Sequence, residues 1–139
     1  MAVAFGSVVV ACATGPSDGS VSGKYALVTI DDHTLPFAVI DQCGGGVCVS
    51  LEIVAAEITL EGERTASVWT DSRYMSGTVT TSDHSTGSGI YSIDGQTISF
   101  SLHGSSQGEE WSLNSSGTLV DGTISLRSDD GFLFRYKKR

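Results

Sequence analysis

Twice in the second half of this chain an Asp-Gly pair joins two short runs in which apolar and polar residues alternate. The first unit is Gly89-Ile90-Tyr91-Ser92-Ile93, Asp94-Gly95, then Thr97-Ile98-Ser99-Phe100-Ser101-Leu102. The second is Gly117-Thr118-Leu119-Val120, Asp121-Gly122, then Thr123-Ile124-Ser125-Leu126. Alternation with a period of two places every apolar side chain on one face of an extended strand. Glycine, and aspartate more readily than most residues, accepts the positive φ that a tight hairpin turn requires. Each unit therefore reads as a β-hairpin.

The same pattern runs through the rest of the chain. Gly23 to Ile30 predicts a strand ended by Asp31-Asp32, and Pro36 to Gln42 a second, ended by Gly44-Gly45-Gly46. Val47, Val49, Leu51 and Ile53 alternate with Ser50 and Glu52. Ile58 and Leu60 extend that run past Ala55-Ala56, where a bulge is expected. Thr65 to Thr70 and Tyr74 to Thr81 read as further strands, with Ser82 to Ser88 a polar loop. Asp129-Asp130-Gly131 turns the chain into Phe132-Leu133-Phe134-Arg135-Tyr136. No long run is apolar at helical spacing. With 139 residues there is room for one domain with a real core. Short connections make sequential neighbours pair. The expected fold is all-β: an antiparallel up-and-down meander of about eight to ten strands, closed into a small barrel because closure removes exposed edges.

The first residues read as an address. Met1 to Ala11 is apolar and uncharged, and Cys12 follows before a polar, turn-rich run. Val9-Val10-Ala11-Cys12 resembles a bacterial lipobox, which implies a signal segment over 1–12 and a diacylglycerol on Cys12. No Lys or Arg precedes the apolar run, which departs from the usual signal. Ala11-Cys12-Ala13 also fits ordinary secretory cleavage, and the Val-rich run could itself be a strand. The run is too short for a stable membrane anchor. The expected organisation is a signal segment over 1–12, a flexible linker over 13–21 and one domain over 22–139. Cysteine parity agrees with export: Cys43 and Cys48 in CGGGVC are close enough for a disulfide, which leaves Cys12 as the odd thiol. A redox or metal pair is the other reading of Cys43 and Cys48, but only His33 lies near them in sequence.

The VVAC tetrapeptide, the opening run SGKYALVTIDDHTLP and the closing strand with Arg135 together resemble a small bacterial lipocalin-like, or calycin-like, β-barrel lipoprotein. Gly23-Lys24-Tyr25 stands where calycins carry Gly-x-Trp, with Tyr in place of Trp. The resemblance covers nearly all of the chain after residue 20. It implies that Arg135 packs across Tyr25 as a barrel-closing cation–π pair. It also implies a home in the cell envelope, periplasmic or outer-surface, held to the membrane through Cys12. Such a fold hosts many functions, so it speaks for architecture more than activity.

Charge narrows the partners. A net charge of -8 repels phosphates and argues against nucleic acid. Arg127, Arg135, Lys137, Lys138 and Arg139 crowd the last stretch, as a contact for anionic groups or as a solubilising tail. His33, His84 and His103 are scattered near expected turns and share no ligand spacing, so no metal or other cofactor is expected. No Gly-x-Ser-x-Gly elbow is present, and no catalytic set emerges. Glu109-Glu110 and Asp129-Asp130 read as solvated turn acids. The aromatic residues are more informative, because inward positions alternate along every strand of a barrel. Trp69 and Trp111, with Phe100 as a wall, are the expected pocket for a small apolar or amphipathic ligand in a monomeric binding protein. The alternative is a structural or interaction lipoprotein whose barrel is filled. A barrel cyclase or isomerase would need an inward acid or histidine, which the sequence cannot choose without the register.

Overall fold

A computed structural model describes residues 21–62 and 64–139. These form ten strands: β1 (Gly23–Ile30), β2 (His33–Thr34), β3 (Phe37–Gly44), β4 (Val47–Glu61), β5 (Thr65–Ser76), β6 (Val79–Asp94), β7 (Thr97–Ser106), β8 (Glu109–Val120), β9 (Thr123–Arg127) and β10 (Leu133–Lys138). From β4 to β10 each strand pairs antiparallel with the next, and β10 pairs with β1. The ring closes where Gly23, Lys24, Tyr25 and Ala26 of β1 pair with Leu60, Thr59, Ile58 and Glu57 of β4. The result is a closed eight-stranded antiparallel barrel with two extra strands, as the alternation and short turns predict.

The two extra strands fill a split seam. Beyond Ala26 and Glu57, β1 and β4 part. Thr29 and Ile30 then pair with β2, and the first half of β4 pairs with β3. Leu35, Phe37, Phe132 and Phe134 pack there around buried Leu27, Ile30 and Ala56. The Cys43–Cys48 disulfide joins directly opposed residues near the tip of the β3–β4 hairpin.

The barrel has a packed end and an open end. Around the turns β4–β5, β6–β7 and β8–β9, Tyr25, Leu60, Ala66, Tyr91, Ile98 and Ile124 form a continuous buried core. Each fully buried Leu or Ile there contributes roughly 1.5–3 kcal/mol over an exposed one. Val21 packs onto this core, and its carbonyl accepts a hydrogen bond from the Tyr25 hydroxyl at 2.6 Å. The turns β1–β2, β3–β4, β5–β6, β7–β8 and β9–β10 surround the opposite end.

Several expectations are corrected. Tyr74 to Thr81 is not one strand: the chain reverses at Gly77-Thr78, between β5 and β6. Ser82 to Ser88 is not a loop but the middle of β6, so His84 lies within a strand, as does His103 on β7. The bulge on β4 falls between Ile53 and Ala55, one residue before the expected kink. The Asp121-Gly122 turn forms as read, with positive φ at both residues. At the first hairpin Asp94 stays in the strand, and the turn moves to Gly95-Gln96.

The closing pair also differs. Tyr25 is buried at the packed end, but Arg135 sits opposite Thr29, farther along the barrel, and ion-pairs with Asp32. Lys138 is the residue opposite Tyr25, and its ammonium stands 6.0 Å from the ring centroid. The alternation along β10 explains this. Phe134, Tyr136 and Lys138 share the inward side, and Arg135 falls on the other. The signal segment, the lipobox with Cys12 and the linker up to residue 20 lie outside the described residues.

A ring-sized cavity behind a polar mouth

Three strands build the site, and alternation decides which side chains enter it. On β6 the odd positions run inward from Tyr91 through Gly89, Gly87, Ser85 and Asp83. On β7 the even positions do so, from Ile98 to Ser106. Cross-strand register then sets Gly87 beside Gly104, and Gly104 beside Trp111 of β8. The Trp111 indole lies across both glycines. A Cβ at Gly87 would come within 2.4 Å of its Cη2, and one at Gly104 within 2.6 Å of its Cζ2. The indole Nε1 donates to Ser85 Oγ at 3.1 Å, so its polar edge is satisfied inside the barrel.

Above this plate lies a cavity of about 140 Å³, walled by Phe100, Leu102, Trp111, Leu126 and Tyr136, with the hydroxyls of Thr70 and Ser85 at its edge. An apolar cavity of roughly 150 Å³ holds one benzene ring, so this one is matched to a single ring. Leu113 also lines the cavity and is 44% exposed. Burial pushes the Tyr136 phenol well above its ordinary pKa, so its hydroxyl keeps its proton. Among the described residues no hydrogen bond satisfies that hydroxyl, which leaves it available to an occupant of the cavity.

The next inward positions toward the open end are mixed, with Leu51 set among hydroxyls and a carboxylate. Ser72, Tyr74, Thr81, Asp83 and Ser106 line a mouth of about 470 Å³. Ser106 Oγ donates to Asp83 Oδ2, which fixes the carboxylate at the rim. Tyr74 is 45% exposed there.

The structure brings together two of the three expected pocket residues, Trp111 and Phe100. Trp69 stands elsewhere. Ala66, Val68 and Thr70 take the inward positions of β5, so Trp69 faces outward. There its Nε1 donates to Glu57 Oε1 at 3.3 Å, and His84 stacks on its indole with ring centroids 5.8 Å apart. Asp71 holds His84, while Arg139 and Lys24 flank Glu57, the buried charged residue among those described. This external cluster ties β1, β4, β5 and β6 to one another. Glu109, Glu110, Asp129 and Asp130 are exposed. Among the described residues no three His, Cys, Asp or Glu converge on a metal-sized site. Tyr136 belongs to the aromatic set that the sequence offers for the interior, whereas Ser85 and Asp83 carry no such signal. Continuing the period-two register backward from Tyr91 would have found Ser85 and Asp83.

The chain matches no family model, no curated protein and no solved structure. Its class is thus defined by its architecture: a small closed antiparallel barrel, compatible with a lipocalin-like fold.

Proposed function

We propose that this protein is a lipocalin-like binding protein that holds a small, mostly apolar molecule of one ring in the barrel. The carrying observation is the cavity of about 140 Å³ between Phe100, Trp111, Leu126 and Tyr136. A barrel evolved only as a filled structural unit gains nothing from such a void, since lost packing costs stability. Trp111 supplies a flat wall, and the protonated Tyr136 hydroxyl supplies one polar contact. The same reading places the protein at the bacterial envelope as a monomer, tethered through a lipid on Cys12. Val21 lies at the packed end, so a tether leaving from there would turn the mouth away from the membrane.

Native mass spectrometry of protein purified from its own host, set against its denatured mass, tests this reading. It expects a small non-covalent adduct that is lost on denaturation, and a diacylglyceryl increment on Cys12. A clean apo mass would favour the filled, structural alternative, and an intact Met1 would remove the tether.

A further inference from the structure

Resting on that reading, we propose that the ligand is a small ring-bearing amine whose ammonium group is met by Asp83 at the mouth. The apolar cavity and the carboxylate lie on one inward row. Ser85 edges the cavity, and Asp83 is the next inward residue on β6, about 7 Å along the strand. That spacing suits a ring with a short alkyl arm. Asp83 carries no ion pair among the described residues. Its hydrogen-bond partner is the Ser106 hydroxyl, and an ionised carboxylate has acceptor capacity for more than one donor.

No cation lines the mouth itself, although Asp83 also lines a neighbouring recess with Arg73 and with His84, which Asp71 holds. The base nearest in register, Arg73, falls on the outward row of β5 and is bound to Glu52 by two hydrogen bonds, 3.0 and 2.6 Å. The field around the mouth has the same sign. The turns and strand ends at the open end carry Asp31, Asp32, Glu109, Glu110, Asp129 and Asp130. Of the two arginines there, Arg135 is paired with Asp32 and Arg127 donates to the Gly131 carbonyl. Arg127 keeps its charge and the Asp32–Arg135 pair cancels, so the rim is net acidic, and an excess of one sign attracts counter-charged ligands. Trp111 and Tyr136 offer aromatic faces, which also favour a cation nearby. A carboxylate or phosphate ligand would meet the opposite of what it needs.

Calorimetric titration with three soluble probes that share one ring and a short arm decides the matter: 2-phenylethylamine, 2-phenylethanol and 3-phenylpropionate. The amine is expected to bind about tenfold tighter than the alcohol, as a charge-assisted contact outweighs a neutral one, and the carboxylate weakest. Asp83→Asn should bring amine and alcohol to the same affinity without weakening the alcohol. Should that variant fail to fold, the order of the three probes on the wild-type protein still decides, and the amine's advantage must shrink as salt is raised. Alcohol and amine binding equally well would overturn ammonium recognition and leave the cavity reading standing. No binding of any probe would overturn both.

Discussion

At the scale of single residues, the decisive arrangement is an indole laid over two glycines. Gly87 and Gly104 occupy inward positions where an ordinary strand of this barrel carries a side chain. Their missing Cβ atoms are the space that Trp111 uses. Gly87→Ala forces the indole off its seat, because its new Cβ would sit 2.4 Å from Trp111 Cη2 and 2.8 Å from the His103 carbonyl. We expect a loss of about 1–3 kcal/mol in urea unfolding, the usual cost of overpacking. The displaced ring should also invade the cavity and weaken ring binding. Gly44→Ala is the control. It meets nothing within 4 Å and should change stability by less than about 0.5 kcal/mol.

At the scale of elements, hairpins with apolar alternation were readable, and the strand without it was not. Ile98, Phe100, Leu102 and Ile124 sit buried where period two puts them, and both hairpins form, with the turn at Asp121-Gly122 in one and at Gly95-Gln96 in the other. The stretch from Ser82 to Ser88 reads as a loop because its inward residues are Asp83, Ser85 and Gly87. The apolar cover for that row arrives from β8, twenty-odd residues later, as Trp111. Local pattern cannot reveal a side chain supplied by a non-adjacent strand. The same gap hid Asp83 and Ser85 as site residues. It also left Trp69 and Trp111 equivalent, since only the register decides which faces in. Lys138, not Arg135, meets Tyr25 for a related reason: the resemblance points to a basic residue near the end of the chain but not to its face. The β3–β4 hairpin supports a prediction of its own. Its disulfide closes a very short loop, worth about 2 kcal/mol. The hairpin outside the closed ring has mostly exposed residues from Ile40 to Cys48. Reduction should therefore speed amide exchange in β3 and the start of β4, while the amides of Ile58, Tyr91 and Ile98 stay protected. Loss of protection throughout the barrel on reduction would show that the hairpin holds the ring closed.

At the scale of the whole molecule, the barrel is a cup with a gradient. One end is solid hydrocarbon capped by Tyr25 and Lys138. The middle holds a cavity of about 140 Å³. The far end mixes Leu51 and Tyr74 with hydroxyls and the Asp83 carboxylate. Each layer follows from which residue types fall on the inward parity of the strands, so fold and candidate function share one cause. The external cluster of Glu57, Trp69, Asp71, His84 and Arg139 stitches the outer wall. The central claim is that the interior holds a real, apolar, ring-sized void. A crystal of the protein pressurised with xenon tests it directly, since apolar cavities of this size take up xenon. The account predicts one ordered xenon atom in contact with Phe100, Trp111 and Leu126. Trp111 or Tyr136 turned into the space, with no xenon inside the barrel, would contradict it.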